Sequence, residues 1–373
     1  MYWFTNWPKL IEFIEVWRIL GASKFYFYYQ SVSREVYEVF KEYEKMGIVV
    51  PIKAEVMPTN KDTGYNPDYH LFRIGDRIWQ NDCLMRAETK FAPYIDGIVV
   101  PIKAEVMPTN KETGYNPDYH LFRIGDRIWQ NDCLMRAETK FAPYVDVDEM
   151  LIPQNNQSLL EFLEEEEKRR KDAGGFGFKH AAMSFEAEKM PHLKSSKEEF
   201  DWRKLDFEWL KTATFKQQSA MGKAVSMPDR VDLISIHFIA RTQWPYKEIG
   251  IPHSKGVYYH ARNNWLAKNK VELEKSANST GVYNSRLRSF FTDDLIKTVR
   301  ENYIKIMENV EKSMGRKPCH DYSVFSILKG CMRGWKSKGK CSPYVMCYNA
   351  LANFTEWVYA NPSKYESVDL IAL

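Results

Sequence analysis

The hydrophobic pattern switches between helical and strand periods from the start of the chain. Leu10, Phe13, Ile14, Trp17 and Leu20 recur at three- and four-residue spacing, which predicts a helix over 6–21 with one core-facing stripe. Asn6 can cap it, Pro8 suits its first turn and Gly21 can close it. Residues 24–29 (KFYFYY) read as an aromatic strand. Ser31 or Ser33 then opens a second helix carrying Val36, Val39, Phe40, Tyr43 and Met46, closed by Gly47, and 48–52 is the next strand. Helices alternating with apolar strands predict an α/β fold with a mostly parallel sheet covered on both faces.

Residues 47–96 then recur as 97–146, differing only at Asp62/Glu112 and Ile95/Val145. Two near-identical copies are a tandem duplication rather than a solenoid, which stacks several diverged units. Each copy holds a strand (GIVVPIK), a turn-rich segment, a helix ending in QNDCLMRA and the strand opening FAPY. One sheet position holds one strand, so one copy of each element belongs to the sheet and about fifty residues form an insertion, a cost that loop entropy keeps small.

Only the second copy continues into Asp148 and Glu149. The stretch 141–153 (FAPYVDVDEMLIP) reads as one buried strand that turns acidic and is ended by Pro153. Alternation puts Asp146 and Asp148 on one face, where paired carboxylates repel unless a divalent cation joins them. A D-x-D triplet alone is commonplace; its place at a strand end, where α/β sheets gather ligands, favours a metal site over a bare turn.

Further on, 154–172 predicts a helix whose Glu/Lys/Arg run is a solvated face. The AGGFGF run at 173–178 reads as a glycine-rich turn into a strand at 181–185, and 186–220 as a long surface excursion. Strands are expected at 231–239, carrying His237, and at 256–265, leading to His260 and Arg262. An amphipathic helix spans 292–314, and the last sixty residues read as helical.

A net charge of +4 with both signs interspersed excludes a basic nucleic-acid stripe. No apolar run approaches a membrane span, and the start lacks signal-peptide character. Cys319, Cys331, Cys341 and Cys347 lack C-x-x-C spacing, so zinc is disfavoured and disulfides in a luminal compartment fit better. The acceptor triplets at Asn156, Asn278 and Asn353 agree with that compartment.

The NWPKLIEF helix with its following strands, then QNDCLMRA, then YVDVDEMLIP and the His-x-Arg of YYHAR, together resemble glycosyltransferase family 92 over most of 6–310. The resemblance implies a GT-A-like, mostly parallel Rossmann-type sheet in a domain over 1–310, with 311–373 as an α-rich, cysteine-bearing extension. It implies inverting transfer of galactose from UDP-galactose to a glycan acceptor, with Mn²⁺ held by Asp146, Asp148 and His260. Asn131, Asp132 and Arg262 would face the donor. A carboxylate base is also required, for which Glu186, Glu188, Asp229 and Asp293 are open candidates. Relatives are Golgi type II membrane proteins with a first strand ahead of the helix; here only Met1–Thr5 precede it, and no anchor is present. A haloacid-dehalogenase-type phosphatase fits poorly, because Met150 stands where that motif has Thr or Val. The stronger alternative is a non-catalytic nucleotide-sugar- or glycan-binding remnant of the fold.

Overall fold

The computed structural model describes residues 1, 3–53, 137–155, 157–193, 200–235, 237–261, 281–320, 323–337, 347–360 and 362. In chain order the first elements are α1 (Trp7–Ile19), β1 (Phe25–Tyr29), β2 (Ser31–Ser33), α2 (Arg34–Lys45) and β3 (Val49–Lys53). After them come β4 (Ala142–Pro143), β5 (Glu149–Pro153), α3 (Leu159–Arg169), β6 (Ala173–Ser184) and β7 (Thr214–Ser226). The strands β8 (Val231–Ile234), β9 (Ile239–Thr242), β10 (Lys247–Gly250) and β11 (Gly256–His260) follow. Helices α4 (Gly281–Phe290), α5 (Asp293–Met314), α6 (Ser323–Ser337) and α7 (Tyr348–Leu351) precede the last strand, β12 (Trp357–Tyr359).

Helix α1 starts where the sequence predicts, with the Asn6 side chain accepting from the Lys9 N–H. Its burial exceeds the expected single stripe: Ile11, Glu12, Glu15 and Val16 are buried as well as Leu10, Phe13, Ile14 and Trp17. The two glutamates tolerate this because each is met by donors. Glu12 accepts from Trp209 Nε1 at 3.1 Å and Glu15 from the Tyr43 hydroxyl at 2.7 Å. Ser33 caps α2, Thr292 caps α5, and Gly47 and Gly315 sit at positive φ just beyond α2 and α5.

Strands β1 and β3 pair in parallel, from Phe25↔Val49 to Tyr29↔Lys53. The strand of the first copy therefore occupies the place next to β1, while the acidic stretch of the second copy leads into β5. Residues 54–136, which include Asn131 and Asp132, lie outside the described residues, as does Arg262.

The larger sheet has the order β4-β7-β6-β11-β5, with β10 also on β6. It is mixed rather than mostly parallel: β4–β7, β6–β7 and β5–β11 are antiparallel, β6–β11 and β6–β10 parallel. The long antiparallel pair β6–β7 decides this character. Residues 173–178, expected to form a turn, are the first half of β6, where the glycines admit close neighbours. A Cβ on Gly174 would lie 2.8 Å from Thr242 Cγ2, and one on Gly175 would lie 2.5 Å from the Val225 carbonyl oxygen.

Among the described residues, the link from β6 to β7 holds short 3₁₀ turns, and Trp202, Leu205, Phe207, Trp209 and Leu210 are buried there, so this part of the expected surface excursion belongs to the core. The segment expected as a single strand at 231–239 is the hairpin β8–β9, with His237 between its strands. At the far end, β12 pairs antiparallel with β2, so the C-terminal part is not purely helical. Trp3, Val324, Cys347 and Leu351 form a small core there, and a disulfide joins Cys331 to Cys347. The Cys319 thiol donates to Glu35 Oε1 at 3.3 Å. No helix among the described residues is long and apolar enough to cross a membrane.

Candidate functional site

Four strands each bring one ionisable side chain to the same face of the larger sheet. Glu149 opens β5, His180 lies in β6, Lys223 in β7, and His260 ends β11. Register explains the convergence: His260 pairs with Glu149, Tyr258 with His180, and Phe178 with Lys223. Residues two apart share a face, so the row is continuous across the strands.

Asp146 and Asp148 join this row from a turn that enters β5, not from a strand exit. The apolar runs on either side pair with different strands, β4 with β7 and β5 with β11, so the chain must turn between them. The Glu149 N–H donates to the Asp146 carbonyl at 3.0 Å, and the Asp146 N–H donates to Glu149 Oε2 at 2.9 Å. Trp17 Nε1 donates to the Glu149 carbonyl at 2.9 Å, and the Ala261 N–H to the Asp148 carbonyl at 2.8 Å. Helix α1 and strand β11 thereby fix the turn from two sides.

The two aspartates have different partners. Lys223 Nζ lies 3.1 Å from Asp146 Oδ2 and 2.7 Å from Glu149 Oε2, and 5.0 Å from the Tyr144 ring centroid. Asp148 Oδ1 lies 3.3 Å from His260 Nε2, so the structure brings together the aspartate and histidine named from sequence. The other ring nitrogen, Nδ1, lies 3.5 Å from Glu149 Oε1. Burial alone would raise the Glu149 carboxyl, but His180, the Lys223 ammonium and the Asp146 N–H outweigh it and hold it at about 2 instead of 4.5.

This donor set fits a divalent cation. Lys223 pairs with Asp146 and Glu149, Asp148 stands beside His260, and donor atoms of Glu149, His180 and His260 lie within 4.8 Å of one another. Glu149 Oε1 and His180 Nε2 are buried and 3.1 Å apart without the alignment of a hydrogen bond. Carboxylate with imidazole suits Mn²⁺ among other divalent ions. Sequence reasoning missed His180 and Lys223. The first was hidden by reading AGGFGF as a turn, and the second has no local signature.

Beside the turn, a cleft of about 720 Å³ runs between β1 and residues 137–147, walled by Phe25, Phe27, Phe141 and Tyr144 and reaching Asp146. The open base candidates are engaged elsewhere: Asp229 pairs with Arg230, Asp293 with Lys211 and Glu186 with Lys189. Glu188 is exposed in a 3₁₀ turn.

A comparison with curated proteins finds no match. The sequence profile of glycosyltransferase family 92 matches residues 1–97 and 99–307, its break falling beside the junction of the two copies. That match covers most of the chain and carries the acidic turn, His180, Lys223 and His260; the chain belongs to glycosyltransferase family 92.

Proposed function

We propose that this chain is a metal-dependent, inverting hexosyltransferase that moves galactose from UDP-galactose to a glycan acceptor in the Golgi lumen. Family membership supports sugar transfer, and the approach of Asp148 to His260 carries the metal dependence. These two residues would hold Mn²⁺, whose charge would stabilise the departing diphosphate. Lys223 holds Asp146 in place beside them. The aromatic cleft reaching Asp146 suits a nucleoside, because flat bases stack on such rings. Asn131, Asp132 and Arg262 take the donor-facing roles that the family resemblance implies. Arg262 would offer its guanidinium fork to the diphosphate.

The reading is tested by UDP release from UDP-galactose, UDP-glucose, UDP-N-acetylglucosamine and UDP-N-acetylgalactosamine over a glycan panel, with and without Mn²⁺. The expected result is Mn²⁺-dependent release from UDP-galactose and a β-linked product. UDP binding with no donor turned over would instead make the chain a nucleotide-sugar-binding remnant of the fold.

A further inference from the structure

We propose that His180 is a ligand of the cation, seated with Glu149 and His260 on the inner side of the acidic turn, an inference that rests on the cation site proposed above. The three side chains come from β6, β5 and β11, and strand register brings them together. His260 lies opposite Glu149, and Tyr258, two residues earlier on β11, lies opposite His180. Their donor atoms lie within 4.8 Å of one another, and the two imidazole rings are 5.6 Å apart between centroids.

Two of these atoms lack what buried polar atoms normally have. Glu149 Oε1 and His180 Nε2 are buried with no hydrogen-bond partner among the described residues, a state that costs about 1–3 kcal/mol for each group. The other Glu149 oxygen is engaged, since Oε2 accepts from Lys223 at 2.7 Å and from the Asp146 N–H at 2.9 Å. Oε1 therefore turns toward the imidazoles, 3.1 Å from His180 Nε2 and 3.5 Å from His260 Nδ1. Such separations are edges of a coordination shell. Two donors about 2.1 Å from one ion stand about 3 Å apart at a right angle and about 3.4 Å apart at the tetrahedral angle. One cation would satisfy both orphaned atoms. Charge agrees: the acidic turn carries three carboxylates and Lys223 supplies one ammonium, so a divalent ion would neutralise the remainder. Asp148 is partly exposed and stands at the other nitrogen of His260, 3.3 Å from Nε2, which leaves the diphosphate an approach from that side. Two imidazoles in one shell select a transition-metal ion over Mg²⁺.

Pulsed electron paramagnetic resonance of the full chain loaded with Mn²⁺ tests this, because it counts the imidazole nitrogens bound to the ion and needs no turnover. The expected count is two in the wild type and one in His260→Ala. In His180→Ala it should fall to one, or the ion should no longer bind, with circular dichroism showing that both variants are folded. A single nitrogen in the wild type, absent from His260→Ala, overturns the ligand role of His180 and leaves the cation site standing. Two nitrogens in folded His180→Ala do the same, since another histidine then supplies the second. No Mn²⁺ bound to the wild type overturns both readings. Should His180→Ala fail to fold, His180→Asn, which keeps a polar side chain in β6, takes its place with the same outcomes.

Discussion

Lys223 Nζ lies 2.7 Å from Glu149 Oε2, with the two side chains 1 % and 0 % exposed. Removing one member of a buried pair leaves the other charge without compensation, which costs about 3–5 kcal/mol. Lys223→Met is therefore expected to lower the unfolding free energy by about that amount in urea denaturation. A loss below about 1 kcal/mol would show that Glu149 does not depend on this partner.

The glycines of β6 give a second test. An added methyl at Gly175 would meet Ile239 and lie 2.5 Å from the Val225 carbonyl oxygen, whereas one at Gly250 meets nothing within 4 Å. Gly175→Ala is expected to destabilise the chain by about 1–3 kcal/mol, as overpacking does, and Gly250→Ala to be tolerated. Equal melting temperatures for the two variants would contradict the packing of β6 against β7 and β9.

The same glycines mark where the sequence was hard to read. Helices α1, α2 and α5 were legible because their caps (Asn6, Ser33, Thr292) and apolar periods are local signals. Strand β6 was not, because glycine normally signals a turn, and here a close approach of β7, β9 and β10 requires it. Nor was the burial of Trp202 and Trp209 legible, since a run of 3₁₀ turns has no sustained period. The Asp148–His260 approach was anticipated from motifs over a hundred residues apart. The Lys223 contact was not, since only the β6–β7 pairing places that ammonium near Glu149.

His192 makes stability depend on pH. Its side chain is buried against the Trp209 ring, 5.0 Å between centroids. Burial first, then the nearby His320 and Lys9, hold its imidazole well below the ordinary 6.5. The unfolded chain therefore binds a proton near pH 6.5 that the folded chain refuses, so stability falls as pH drops below that value. This group contributes a slope approaching about 1.4 kcal/mol per pH unit. His192→Phe should flatten the profile between pH 7.5 and 5; an unchanged slope would show that His192 is protonated in the folded state.

The disulfide and the acceptor triplet at Asn353 share one prediction. Asn353 is exposed in the turn after α7, the helix that follows Cys347 of the Cys331–Cys347 bond. Protein made through a secretory pathway should yield a peptide pair linked through Cys331 and Cys347, and a glycan on Asn353 that glycosidase removes. Alkylation of both thiols without prior reduction, and an unmodified Asn353, would place the chain outside an oxidising lumen.

The central claim is a cation-dependent nucleotide site at the acidic turn, and UDP calorimetry tests it most directly. The full chain should bind UDP at least 10-fold more tightly with Mn²⁺ than with the metal chelated away, because the ion adds charge contacts to the diphosphate. In Asp148→Asn that dependence should disappear while the chain stays folded. Equal UDP affinity in the wild type with and without Mn²⁺ would contradict the account.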